Sequence, residues 1–234
     1  MTAVSLHIGL NKVSAAVYGS ENRLGGCIND AKAMCLIAQK LGYRPTVMFD
    51  EQATVQALNS YINAVSDELK AGDIFWLTYS GHGSQILDTN NDEADCLDET
   101  WCLYNGQIVD DDLYKLWSKF AEGVRLVVVS DSCHSGTVAR GITTIEEVIS
   151  RDIDCKASGI LLSGCRDNQV SLDTGSNGLF TAKLLEVWND GKFAGSYSKF
   201  LKAIAAKLPK SQNPNYYTFG KRSMKFLRQN PFMI

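Results

Sequence analysis

IFWLTYSGHGSQ, residues 74–85, joins a continuous run of apolar and β-branched side chains to a histidine held between two glycines. A run this short, rich in aromatic and β-branched residues, suits a strand buried on both faces, as at the centre of a parallel sheet. RLVVVSDSCHSG, residues 125–136, repeats the design: the apolar run Leu126–Val129 leads into a glycine-containing turn that carries Cys133. Outward from these two, apolar runs alternate with helix-period segments. Val4–Leu10, Thr46–Phe49, Ile160–Leu162 and Tyr216–Phe219 read as further strands. Cys27–Leu41, ended by Gly42, Ala53–Leu69, Gly178–Asn189 and Tyr197–Leu208 read as helices. This alternation predicts an α/β fold with a mainly parallel sheet whose strands cross over through helices.

At 234 residues the chain suits a single domain, with a core covered on both faces. Its 45% hydrophobic and 21% charged content is ordinary for a globular protein. A formal charge of −3 argues against a general nucleic-acid surface. No apolar run approaches the roughly 20 residues needed to span a bilayer, and MTAVSLHIGLNKV lacks the pattern of a signal peptide. Seven scattered cysteines, with no zinc-type spacing, favour a reducing, cytoplasmic setting. Residues 88–112 hold nine carboxylates and no Lys or Arg; charge runs of this kind are commonly solvated faces. Residues 140–156, with Arg140, Arg151 and Lys156, read as a long surface excursion between two strands.

In an open α/β sheet, ligands sit at the carboxyl ends of the strands, so His82 and Cys133 could lie side by side. A thiol with a pKa near 8.5 is only slightly ionised at neutral pH, and a neighbouring imidazole either lowers that value or accepts the proton during attack. The N–H groups of Gly83 and Cys133 could then stabilise an oxyanion. By composition and position alone, the pair is equally compatible with a buried thiol and a satisfied histidine. Taken singly, the other six cysteines read as small buried hydrophobes, and His7 reads as structural.

YSGHGSQ (79–85) and DSCHSGT (131–137) resemble the two catalytic motifs of the metacaspase branch of the caspase-like cysteine peptidases, including the compact prokaryotic members called orthocaspases. LGGCINDA (24–31) resembles the signature on that family's first helix. LLSGCRDNQVS (161–171), NGLFT (177–181) and QNPNYY (212–217) resemble its small-subunit region. The resemblance implies a caspase-like fold, a six-stranded, mainly parallel sheet with helices on both faces in a three-layer αβα sandwich. It implies a large-subunit-like region over 1–139 with a His82 base and a Cys133 nucleophile, a processing loop over 140–157 and a small-subunit-like region over 158–234. His134 belongs to the cysteine motif without being the base.

The same resemblance assigns Cys27, Asp30, Ser80 and Asp131 to the pocket for the residue before the scissile bond (P1). Two partly desolvated carboxylates suit a guanidinium, so the expected substrates are proteins or peptides with Arg, then Lys, at P1. The competing account has Asp30 capping a turn and Asp131 pairing locally. Some family members require calcium; Asp98, Asp110 and Asp111 match three ligand positions, but the fourth is Arg140, whose charge repels Ca²⁺. Asp88-x-Asn90-x-Asp92 with Glu99 has EF-hand spacing, yet Glu93 stands where the loop needs Gly. The expectation is therefore a monomer that requires no cofactor and is calcium-independent or weakly stimulated, with self-cleavage at Arg140, Arg151 or Lys156 as a hypothesis. Two functions compete: a catalytically silent caspase-fold scaffold, and a peptidase of the same clan with a non-basic P1 preference.

Overall fold

The structure, a computed structural model, describes residues 1–87, 97–132, 154–164 and 176–234. In chain order its principal elements are β1 (Ala3–Gly9), α1 (Ala15–Tyr18), α2 (Cys27–Lys40), β2 (Arg44–Phe49), α3 (Val55–Glu68), β3 (Ile74–Gly81), β4 (Gly83–Leu87), β5 (Leu97–Leu103), β6 (Gly106–Val109) and α4 (Asp110–Trp117). After these come β7 (Arg125–Ser132), β8 (Ser158–Ser163), α5 (Leu179–Trp188), α6 (Tyr197–Ala205), β9 (Asn215–Gly220) and α7 (Met224–Arg228). Six strands form one sheet in the order β2-β1-β3-β7-β8-β9. All pairs are parallel except β8 with β9.

β3 and β7 lie next to each other at the centre, and their side chains divide by parity as a pleated strand requires. Phe75, Leu77, Tyr79, Leu126 and Val128 belong to a core with Leu58, Ile62 and Val65 of α3 and Leu113, Leu116 and Trp117 of α4. Ile74, Trp76, Val127 and Val129 pack with Met34 and Ile37 of α2, Leu184 and Trp188 of α5, and Phe200 and Ile204 of α6. Trp76 stacks on Phe232 with ring centroids 4.1 Å apart. Burying a side chain of this size is worth about 1.5–3 kcal/mol, so a sheet apolar on both faces requires helices on both. This is the three-layer sandwich.

The segment 97–117 departs from the reading of residues 88–112 as a solvated charge run. β4, β5 and β6 form a second, antiparallel sheet, and Trp101, Leu103, Ile108, Leu113 and Leu116 join the core. The β5–β6 hairpin turns at Tyr104-Asn105, with Leu103 paired to Gly106, and the Asn105 side chain accepts the Val55 N–H at 3.0 Å. Asp110, Asp111 and Asp112 occupy the first turn of α4, where carboxylates are favoured by the helix dipole. Charge density alone concealed this hairpin.

The strand order reverses between β1 and β3, creating the crevice where open α/β sheets bind ligands. A Cβ on Gly9, the last residue of β1, would collide with the Cys27 carbonyl. Glycine there lets the first turn of α2 close onto the carboxyl edge of the sheet. Among the described residues, no helix is long and apolar enough to cross a membrane.

Candidate active site

In the parallel β3–β7 ladder, Ser80 pairs with Asp131 and Gly81 with Ser132. The residues immediately before His82 and Cys133 are therefore partners at one edge of the sheet, on strands about 4.8 Å apart. Cys133 itself lies outside the described residues, as do His134, Cys96, Cys165, Arg140 and Arg151. His82 is half-buried in the turn between β3 and β4. Its Nε2 bonds the carbonyl oxygen of Asn22. A carbonyl only accepts, so Nε2 carries the hydrogen and Nδ1 is left with the lone pair. Asn22 has φ 40°, a left-handed conformation that asparagine tolerates better than most residues. Nothing in the motif reading pointed to Asn22.

Three of the four residues that the resemblance assigns to the P1 pocket are joined by hydrogen bonds or by shared neighbours. Ser80 Oγ donates to Asp30 Oδ2 at 2.7 Å. Asp30 Oδ1 accepts from Asn177 Nδ2 at 2.8 Å and from the Gly178 N–H at 3.0 Å. Asp131 Oδ2 accepts from the Thr181 N–H at 3.1 Å and Thr181 Oγ1 at 2.8 Å. A Cβ added to Gly178 would lie 2.6 Å from Asp131 Oδ2 and 2.9 Å from Asp30 Oδ2, so both carboxylates close on this one glycine. Cys27 is buried one turn before Asp30 on α2.

The partners seen are far away in the chain: Asn177 is 147 residues from Asp30, and Thr181 is 50 from Asp131. They also explain why α5 starts at a glycine with no capping side chain of its own. Asp131, from another strand, takes the N–H in its first turn, where a carboxylate also meets the positive end of the helix dipole. NGLFT was legible as a motif, but its contacts with the two aspartates were not.

Burial first, and then the charge of Asp131, push the Asp30 carboxyl up to about 7, against the hydrogen bonds from Ser80, Asn177 and Gly178. His7, fully buried on β1, bonds Thr78 Oγ1 at 3.0 Å and Ser5 Oγ at 2.9 Å. Burial pushes it from its ordinary 6.5 to about 3. These two groups give opposite pH dependences. Between about pH 6.5 and 3 the unfolded chain binds a proton at His7 that the fold refuses, so acidification destabilises. Between about pH 3.8 and 7 the fold keeps a proton on Asp30 that the unfolded chain releases, so the stability it contributes is lost as pH rises.

At about 1.4 kcal/mol per unit for each group, the two slopes nearly cancel from pH 4.5 to 6.5. Urea denaturation of Asp30→Asn is expected to show the His7 slope alone, a loss of about 2–3 kcal/mol on acidification across that range. His7→Gln should show the reverse trend, and parallel curves for all three proteins would refute the assignment. Cys102 and Cys155 are buried thiols pushed up to about 11 by burial, which leaves them inert as nucleophiles.

A family model described as "Caspase domain" matches residues 4–224. Metacaspase-2 of Trypanosoma brucei brucei is 30% identical over 208 residues, covering 76% of this chain and 58% of its own length. Metacaspase-1 of Schizosaccharomyces pombe is 27% identical over 248 residues, covering 77% of this chain and 57% of its own. The chain thus spans a little over half the length of these curated relatives. A crystal structure of a protein from Geobacter sulfurreducens superimposes with a TM-score of 0.87 at 41% identity, covering 100% of this chain and 99% of that one.

Proposed function

The chain belongs to the caspase-domain family, and from that premise we propose that it is a cysteine endopeptidase that cuts after arginine and, second, lysine. The observation that supports the reading is the pairing of Gly81 with Ser132, the residues that immediately precede His82 and Cys133 in the chain. In this mechanism His82 Nδ1 takes the thiol proton as the Cys133 sulfur attacks the scissile carbonyl. The N–H groups of Gly83 and Cys133 receive the oxyanion. Collapse of the tetrahedral adduct breaks the C–N bond, and His82 returns the proton to the leaving amine. Water, deprotonated by the same imidazole, then hydrolyses the thioester and restores the thiol.

The P1 preference rests on Asp30 and Asp131 converging beside Ser80. A guanidinium entering there exchanges the chain's own donors for charge-assisted ones. A panel of fluorogenic peptides tests this reading: Arg is turned over fastest, Lys next and Asp negligibly, and Cys133→Ala is inactive. Preference for an Asp peptide would refute the pocket assignment. A wild type that neither cleaves nor is labelled by an arginyl chloromethylketone would make the chain a silent scaffold.

Calcium is not required in this reading, because Arg140 places a cation where the resemblance calls for a fourth aspartate. The residues present do not fit a tight site. EDTA is expected to change kcat/KM by no more than about twofold, whereas strict loss restored by millimolar Ca²⁺ would overturn the expectation.

Self-processing is proposed at Arg140 or Arg151 in preference to Lys156. Lys156 is exposed, but its neighbours Cys155 and Ala157 are buried. The Ala157 carbonyl accepts the Lys221 N–H at 2.9 Å, and the Ser158 N–H bonds Val124 at 2.9 Å. A protease needs a locally extended, releasable backbone, which this segment does not offer. Intact-mass analysis should show fragments ending at Arg140 or Arg151 in wild type and none in Cys133→Ala. A dominant cut after Lys156 would refute the choice.

A further inference from the structure

We propose that Tyr79 is a positioning residue that sets the orientation of the 82–83 peptide and so aims the Gly83 N–H at the reacting carbonyl, an inference that rests on the peptidase reading above. The Tyr79 ring is buried and lies flat against Trp101, with centroids 4.5 Å apart and planes 3° apart. Its hydroxyl donates to the His82 carbonyl at 2.7 Å, with the Cys102 carbonyl at 3.0 Å sharing the hydrogen. The Cys102 N–H reaches the same His82 carbonyl at 2.9 Å. One carbonyl oxygen thus takes two donors, one from β3 and one from β5.

A trans peptide is planar, with its C=O and N–H on opposite sides. With the His82 carbonyl turned toward β5, the Gly83 N–H of the same plane points away from β5. The ladder agrees. Gly83 pairs with Trp101, and the Cys102-to-His82 bond makes this the non-hydrogen-bonded kind of antiparallel pair, which leaves the Gly83 N–H unused by β5. β4 is an edge strand of its sheet, so that N–H emerges on the side which no strand of the sheet covers.

Gly81 fits the same arrangement: a Cβ there would stand 2.7 Å from the Tyr79 hydroxyl oxygen, so glycine lets the phenol lie across the turn. Burial holds the Tyr79 hydroxyl well above its ordinary titration range, which keeps it a donor. A tyrosine that only filled the core would need its ring but not its hydroxyl.

Tyr79→Phe separates the two roles, because it keeps the ring and the Trp101 stack. The variant is expected to lose about 10- to 100-fold in kcat for peptide hydrolysis, with KM within about twofold. A peptidyl arginine aldehyde, whose thiohemiacetal places an oxyanion at Gly83, should weaken by a similar factor. The rate of Cys133 alkylation by iodoacetamide should not change, since displacement at that carbon forms no oxyanion. Gly81→Ala, which presses on the hydroxyl from the turn, should reproduce the pattern, and the double variant should be no worse than either single one. Gly81→Ala carries the test if Tyr79→Phe does not fold.

Unchanged kcat in a folded variant overturns the assignment. So does an equal loss of hydrolysis and alkylation, which would place the effect on His82 or on the fold. An active wild type with either result sinks the role of Tyr79 alone, whereas a wild type without hydrolysis or aldehyde binding sinks the peptidase reading and this proposal together.

Discussion

His82→Ala is expected to lower kcat/KM for an arginine peptide by about 10³-fold at neutral pH. The Asn22 carbonyl fixes the hydrogen on Nε2, so in the proposed mechanism Nδ1 takes the proton from Cys133. Without the imidazole the thiol must ionise unaided, and near neutrality only a few per cent of an ordinary thiol does so. Raising the assay pH toward about 8.5 should therefore recover part of the loss. A purely structural histidine would give a deficit independent of pH, together with a shift in thermal stability. Comparing pH–rate profiles of wild type and His82→Ala decides between them, and a constant ratio across pH 6.5–9 would rule out the base role.

Asp131→Asn is expected to reduce kcat/KM for P1 arginine by about 10- to 100-fold, the worth of one charge-assisted hydrogen bond of 1.5–3 kcal/mol. Asparagine can still accept from Thr181, which takes the Asp131 carboxylate at 2.8 Å, so the cap on α5 survives while the charge goes. A peptide with citrulline at P1, a neutral shape-match for arginine, should lose far less. Equal losses for both peptides would mean that Asp131 serves the fold alone.

A pH signature follows from the neighbouring acid. Asp30 is pushed up to about 7 by burial and by Asp131, so below that pH the pair carries one proton more and attracts a cation less. KM for the arginine peptide should fall as pH rises through about 7. It should stay flat for citrulline, and in Asp30→Asn the dependence should disappear.

The central strands were readable because local composition decided them. Ile74–Tyr79 and Leu126–Val129 are short, mostly apolar and rich in aromatic or β-branched side chains, which suits buried strands, and the structure extends them to Gly81 and Ser132. β5, β6 and α4 were not readable in the same way. Their carboxylates masked an amphipathic pattern whose apolar half, Trp101, Leu103, Ile108 and Leu113, matters only once a core exists to receive it.

His82 and Gly83 stood out because a glycine-flanked histidine after a buried strand has a chemical use. Asn22 offers a backbone carbonyl, Tyr79 a buried hydroxyl, and Thr181 the donors that Asp131 caps. None of these leaves a mark on residue type that distinguishes it from ordinary loop, core or helix chemistry.

Residue order by itself determined the α/β class, the two turns that carry a histidine and a cysteine, and the presence of acidic residues near both. Only the tertiary structure decided that Ser80 stands beside Asp131, that both aspartates close on Gly178 and that the His82 carbonyl faces β5. The physical reason is range. Strand propensity and turn chemistry operate over a few neighbouring residues, whereas these contacts join positions dozens of residues apart, brought together when the sheet buries its two faces.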